Sequence, residues 1–211
     1  MPPKISDKNK RLKPNGTSRF LIWSIPPETT CPERTKKCSK RCYAKKSRYP
    51  RLVSKLKENL AESEDENFVL NMVEIISENL RKDRAGKKVY FRIHESGDFY
   101  DLNYLKKWLE IASKFPEVTF LAYTKSVKLI DQVGLDAIPK NLVIRYSVWS
   151  DTSPNDLKIA TDLKLPIFAT VDKSVVGEEA IYKDYTKCIS NCQLCKKCYS
   201  LDVPKISEDV F

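Results

Sequence analysis

From residue 88 onward the chain alternates between two periods. Short apolar runs at residues 89–93, 118–123, 142–148 and 166–171 read as strands. Between them, apolar residues return at helical spacing: Leu102, Leu105, Leu109 and Ala112, then Val127, Ile130 and Val133, then Leu157, Ala160 and Leu163. In the last of these Ser153 suits the cap and Pro154 the first helical turn. Upstream, residues 19–25 read as a strand stopped by Pro26-Pro27, and residues 28–50 as a long polar loop. Two helices follow, at about 51–60 (Leu52, Leu56, Leu60) and 66–82 (Phe68, Met72, Ile76, Leu80). Strands recurring every 24 to 30 residues with helices between them predict βαβ units and a parallel sheet of at least five strands. A partial β/α barrel and an open doubly wound sheet both fit.

Within the runs, alternation separates two faces. Val89, Phe91 and Ile93 oppose Tyr90, Arg92 and His94, while Leu142, Ile144, Tyr146 and Val148 oppose Val143, Arg145, Ser147 and Trp149. Desolvating a guanidinium costs several kcal/mol unless it is paired. One polar face per strand therefore predicts a lined cavity, or structural bridges from Arg92 and Arg145 to Glu95 or Asp98. Residues 1–17 read as a flexible basic arm ending in the turn Pro14-Asn15-Gly16, and residues 18–211 as one β/α domain.

No run of roughly 18 apolar residues is present and the N-terminus has no apolar stretch of the secretory kind, so a cytoplasmic protein is expected. In a reducing compartment clustered cysteines bind metal more often than they pair. Seven are present. Cys188-x3-Cys192-x2-Cys195-x2-Cys198 is too compact for the two separated knuckles of a zinc ribbon, and its spacing suits a 4Fe–4S cubane, with zinc as the alternative. Cys31-x6-Cys38-x3-Cys42 supplies three thiolates in the loop after the first strand. Alone, these leave one iron of a cubane open, as catalysis requires; alternatively they join the C-terminal run in one shared site. His94 is the sole histidine, which excludes zinc sites built on several imidazoles, and taken alone it suits the core.

In a β/α barrel the loops after the strands form the functional face. The strand ends place His94, Glu95, Ser96, Gly97 and Asp98, then Thr124 and Lys125, then Arg145 and Ser147, as candidate cofactor-binding residues beside the cysteine loop. Charge adds a further expectation. Residues 1–57 hold 17 Lys/Arg against three carboxylates, whereas residues 58–211 hold 21 against 25. The basic stretch 34–51 is the candidate contact for nucleic acid, with a solvated surface as the alternative.

Cys42-Tyr43-Ala44, Phe91-Arg-Ile-His-Glu-Ser-Gly-Asp-Phe99 and Leu121-Ala-Tyr-Thr-Lys-Ser126 together resemble the phage gene product 88 family. That family is similar in turn to phage-type radical S-adenosylmethionine proteins with a Cys…Cys…Cys-Tyr-Ala loop. The resemblance implies a partial β/α barrel in a host cytoplasm, with a cubane on Cys31, Cys38 and Cys42 and an auxiliary cluster on Cys188, Cys192, Cys195 and Cys198. It also implies S-adenosylmethionine held at residues 95–98, a reductant protein as partner, and reductive cleavage to a 5′-deoxyadenosyl radical. The gaps of six and three depart from the three and two usual in that superfamily.

Overall fold

The computed structural model describes residues 2–7, 12, 17–46, 50–82 and 86–210. The predicted turn at residues 14–16 lies outside them. Seven strands, all parallel, curl into a half-barrel. They are β1 (Ser18–Trp23), β2 (Lys88–Ile93), β3 (Thr119–Thr124), β4 (Leu142–Val148), β5 (Ile167–Asp172), β6 (Thr186–Lys187) and β7 (Lys205–Val210). Their spatial order is β1-β2-β3-β4-β5-β7-β6, so the last strand in sequence lies between β5 and β6. The partial barrel is therefore the architecture adopted, and the open doubly wound sheet is not.

The helices are α1 (Lys36–Arg41), α2 (Pro50–Glu64), α3 (Phe68–Arg81), α4 (Leu102–Ser113), α5 (Val127–Val133), α6 (Pro154–Asp162), α7 (Glu178–Ile181) and α8 (Cys192–Cys195). Two of their N-termini follow the expected chemistry closely. Asp101 accepts from the Tyr104 N–H at 2.7 Å to start α4, and Ser153 caps α6 ahead of Pro154. In α3 the four-residue spacing of Phe68, Met72 and Ile76 places all three fully inside. They meet Trp23, Phe91, Trp108 and Phe120 beneath the outer helices.

Strand alternation sorts the two faces as the sequence predicts. Leu21, Trp23, Phe91, Ile93, Phe120, Ile144 and Val171 face the helices, while Phe20, Ile22, Tyr90, Leu121 and Val143 face the concave side. His94 breaks the rule. Its φ of 66° turns the side chain out of register, and the ring packs into the core, edge-on to Phe99 and 2.9 Å from the Tyr104 hydroxyl. It does not share a face with Arg92.

Two features of the N-terminal part add to the sequence-based expectation. The described residues of the arm are docked: Ser6 exchanges both backbone hydrogen bonds with Ile22 at 2.8 and 2.7 Å, Asn59 clasps Lys4, and Leu12 is buried on the concave side. This covers the outer edge of β1, which would otherwise expose unpaired backbone groups. Residues 28–50 are not all loop either, because α1 and a 3-10 turn (Tyr43–Lys46) lie within them. α1 shows no apolar stripe; Thr35 caps it by accepting from the Cys38 N–H at 3.1 Å.

Candidate metal centre

The loop after β1 is stitched to the loop after β2. The Ile25 N–H donates to the Ser96 carbonyl (3.1 Å), the Ser96 hydroxyl returns a bond to the Ile25 carbonyl (2.8 Å), and the Asp98 N–H donates to the Thr30 carbonyl (3.1 Å). Gly97 sits at the closest approach with φ of 89°, where a Cβ would lie 2.3 Å from Ile25 Cγ1 and 2.8 Å from Thr30 Oγ1. Cys31 follows directly. The Glu95 carbonyl accepts from the Tyr43 hydroxyl, one residue past Cys42, so both ends of the cysteine loop lean on the β2 end.

Asp98 is the hub. Its carboxylate accepts from Thr124 Oγ1 (2.6 Å), the Lys125 N–H (2.8 Å) and the Phe99 N–H (2.7 Å). Lys125 in turn sends its buried ammonium to both the carbonyl and the hydroxyl of Ser147, each at 2.8 Å, which ties β3 to β4. Burial pushes the Cys31 thiol up to about 12, helped by the nearby charge of Asp98, and burial also raises Cys38 against the pull of Lys125. Each of these two thiols lies within the electrostatic reach of Cys42. A metal that binds here must displace protons.

Burial likewise pushes Asp98 up to about 6, against its three hydrogen bonds. The folded state then keeps a proton that the unfolded chain loses near the ordinary value of 3.8. Stability should fall as pH rises through that window, by about 3 kcal/mol, and then level off. Urea midpoints of wild type and Asp98→Asn between pH 4 and 7 check this, since the difference between the two curves should carry that slope.

α1 is fastened to the opposite side of the half-barrel. The Lys37 N–H donates to Asp151 at 2.8 Å and the Lys37 ammonium pairs with the buried Glu178. Arg41 forks onto Asp172 with two bonds of 3.0 Å. Burial raises Glu178, but the bonds from Lys37, Ser150 and the Asp172 N–H outweigh it and hold this carboxyl below its usual range. The sequence reading missed this anchor, although Lys37 and Arg41 at four-residue spacing on one helix face were its visible sign. With Arg34 and Lys45 both paired to Glu28, Arg34, Lys37, Arg41 and Lys45 are all engaged within the chain among the described residues of the stretch 34–51.

The C-terminal cysteines lie elsewhere. Cys188, Cys192, Cys195 and Cys198 line one pocket against the concave face, together with Arg92, Leu121 and Tyr123. Asn191 caps α8, Lys196 turns the chain with φ of 51°, and a 3-10 turn (Lys197–Tyr199) follows, so the two-residue gaps repeat along one side of the segment. The Ser190 N–H approaches the Cys188 sulfur at 3.4 Å, and the Tyr123 hydroxyl donates to Cys198. Burial pushes the Cys198 thiol up to about 11, against Tyr123 and the charge of Arg145. Arg145, fully buried, donates from Nε to the Cys198 carbonyl (2.9 Å) and from Nη2 to the carbonyls of Lys197 (3.0 Å) and Ser200 (2.6 Å). Arg92 stacks on the Tyr123 ring, 4.9 Å from its centroid, and donates to the His94 carbonyl.

The predicted residues thus divide into four sets. Cys31, Cys38, Cys42, Asp98, Thr124, Lys125 and Ser147 gather at the rim. Arg145 and the four C-terminal cysteines lie on the concave side, and His94 belongs to the core. Glu95, Ser96 and Gly97 brace the cysteine loop through the contacts given above. Among the described residues no three His, Cys, Asp or Glu side chains converge closely enough to hold a metal ion. The surroundings of the interior thiols nevertheless suit an anionic group: Arg145 Nη1 and the Tyr199 hydroxyl are buried there without a partner.

A half-barrel of parallel strands with one cysteine group on its rim and another in its hollow defines a cysteine-bearing β/α protein. Residues 3–200 match the family Gene product 88, and the chain belongs to that family. It is similar to the Gene 88 protein of Mycobacterium phage L5, 32% identical over 170 residues that cover 77% of this chain and 69% of that one. The Gene 88 protein of Mycobacterium phage D29 is 33% identical over 141 residues, covering 64% and 57%. No solved structure matches significantly. Among the described residues no helix is long and apolar enough to cross a membrane.

Proposed function

We propose that this chain is an iron–sulfur protein with two 4Fe–4S centres. Cys31, Cys38 and Cys42 would hold the one at the rim, and Cys188, Cys192, Cys195 and Cys198 the one in the hollow. The observation that carries the reading is the four-thiol pocket. It brings all four C-terminal cysteines to one lining beside Arg92 and Tyr123, and their compact spacing suits a cubane better than the two separated knuckles of a zinc ribbon. The electrostatic neighbours of Cys31 are Cys38 and Cys42, and those of Cys198 are Cys188 and Cys192, which supports two sites over one shared site.

When bound, a cubane with one iron free of thiolate supplies electrons to a sulfonium cofactor such as S-adenosylmethionine, and an enzymatic role would take that form with a reductant protein as partner. The chain's own residues have definite tasks. Lys125, braced by Ser147, sets a positive charge beside Cys38 and offsets thiolate charge at the rim. Arg92 and Arg145 do the same in the hollow. Gly97 and Asp98 fix the loop that carries Cys31.

Protein purified without oxygen should contain about eight iron and eight acid-labile sulfide per chain, and Cys38→Ala about four of each. Zinc in stoichiometric amount without sulfide would overturn the reading. Methionine or 5′-deoxyadenosine released from S-adenosylmethionine by the reduced protein tests the enzymatic form separately.

A further inference from the structure

The end of the half-barrel opposite the rim carries a second cleft, of about 370 Å³, where β2 and β3 begin. Its walls are Lys88 and Thr119 from the strand starts and Lys196, Lys197, Tyr199 and Ser200 from the turn after α8. The volume falls within the range usual for small-molecule sites, roughly 300–1,000 Å³.

Three lysines lining one cleft repel one another unless an anion joins them. Two are held in place by the same ring: the ammonium groups of Lys88 and Lys196 each lie 5.4 Å from the centroid of Tyr90, whose side chain is buried. Lys196 is also steadied by Ser18 Oγ at 2.7 Å. Lys197 stands on a backbone that Arg145 grips through its carbonyl. Among the described residues none of the three is in an ion pair. The one carboxylate of the lining, Asp202, is exposed and accepts from the Ser200 hydroxyl at 2.7 Å. Two of the cations are therefore held on one ring, the third lines the same cleft, and none is paired with the cleft's own acid.

We propose that this cleft binds phosphate groups of a nucleotide, either free or within a strand. Ammonium groups recognise phosphate as point charges, and a di- or triphosphate spans several of them at once. The cleft is distinct from the cation-rich stretch 34–51, much of which is spent on intramolecular pairs. It adjoins the four-thiol pocket, with which it shares Cys195, Lys196, Lys197 and Tyr199, but its cations need no metal to be in place.

Calorimetric titration of the full chain with inorganic pyrophosphate should show one saturable site. In Lys88→Met/Lys197→Met, two exposed positions, the affinity should fall about tenfold or more, as loss of charge-assisted bonds implies. Lys106→Met/Lys114→Met, on the helix side, should leave it unchanged. Tighter binding of ATP than of a short single-stranded oligonucleotide identifies a free nucleotide as the source, and the reverse, with steep salt dependence, identifies a strand. Absence of saturable binding by all three probes, or equal losses in the two double variants, overturns the proposal.

Discussion

Gly97→Ala should lower the melting temperature by about 10 °C and, on the proposed iron–sulfur reading, strip iron from the rim while sparing the hollow. Two costs add. A left-handed backbone is disfavoured for alanine by roughly 1–2 kcal/mol, and overpacking a tight site adds about 1–3 kcal/mol. Neither neighbour can yield cheaply: Ile25 is fully buried, and Thr30 Oγ1 is tied to the Pro26 carbonyl at 2.6 Å. At this chain length each kcal/mol moves the midpoint by about 2–4 °C. The loop that gives way carries Cys31, so loss of the proposed rim centre should accompany loss of stability. A melting point within a degree of wild type would show that the two loops are not locked at Gly97.

Arg145→Met should cost about 3–5 kcal/mol. The guanidinium is wholly enclosed and satisfies three backbone carbonyls of the segment that fills the hollow. A methionine of similar reach leaves those carbonyls desolvated and unpaired. Lysine is not a conservative replacement, since one ammonium cannot reproduce the planar fork; Arg145→Lys should recover only part of the loss. Thermal melts give the magnitude, and limited proteolysis shows its location, with new cleavage expected between residues 188 and 204. Cleavage unchanged in that segment would mean that other contacts hold it.

Much of this architecture could be read before any coordinates. β2 to β5 are apolar runs bounded by turn residues, the Ser153-Pro154 cap starts a helix where expected, and the two cysteine groups stand out by spacing alone. What escaped has physical causes. β7 carries three charges in six residues and only Ile206 and Ser207 are buried, so no hydrophobic pattern betrays it. α1 is held by a cap and by ion pairs to β5 and α7, which lie more than a hundred residues away in sequence. Its cations therefore read as a free basic surface. His94 follows strand alternation until one positive φ reverses it. The division of the cysteines between rim and hollow depends on how the C-terminal segment crosses the concave face, and Arg92 and Arg145 announced only that something polar would lie there. That something is neither Glu95 nor Asp98 for Arg145, but backbone carbonyls.

The strand order also fixes a sequence of events. β6 pairs only with β7, and β7 reaches the sheet only through β5. During synthesis β6 has no partner until residues 205–210 arrive and slot in, so the stretch leading into Cys188 stays unpaired, while Arg145 and the Phe20–Tyr90 face offer the Cys198 end its contacts earlier. Cys188, whose N–H donates to the Ser207 carbonyl at 2.7 Å, is therefore seated only when that late non-local pairing is made. The C-terminal cysteine segment is thus closed from its two ends at different times, its far end by β4 and its near end by β7.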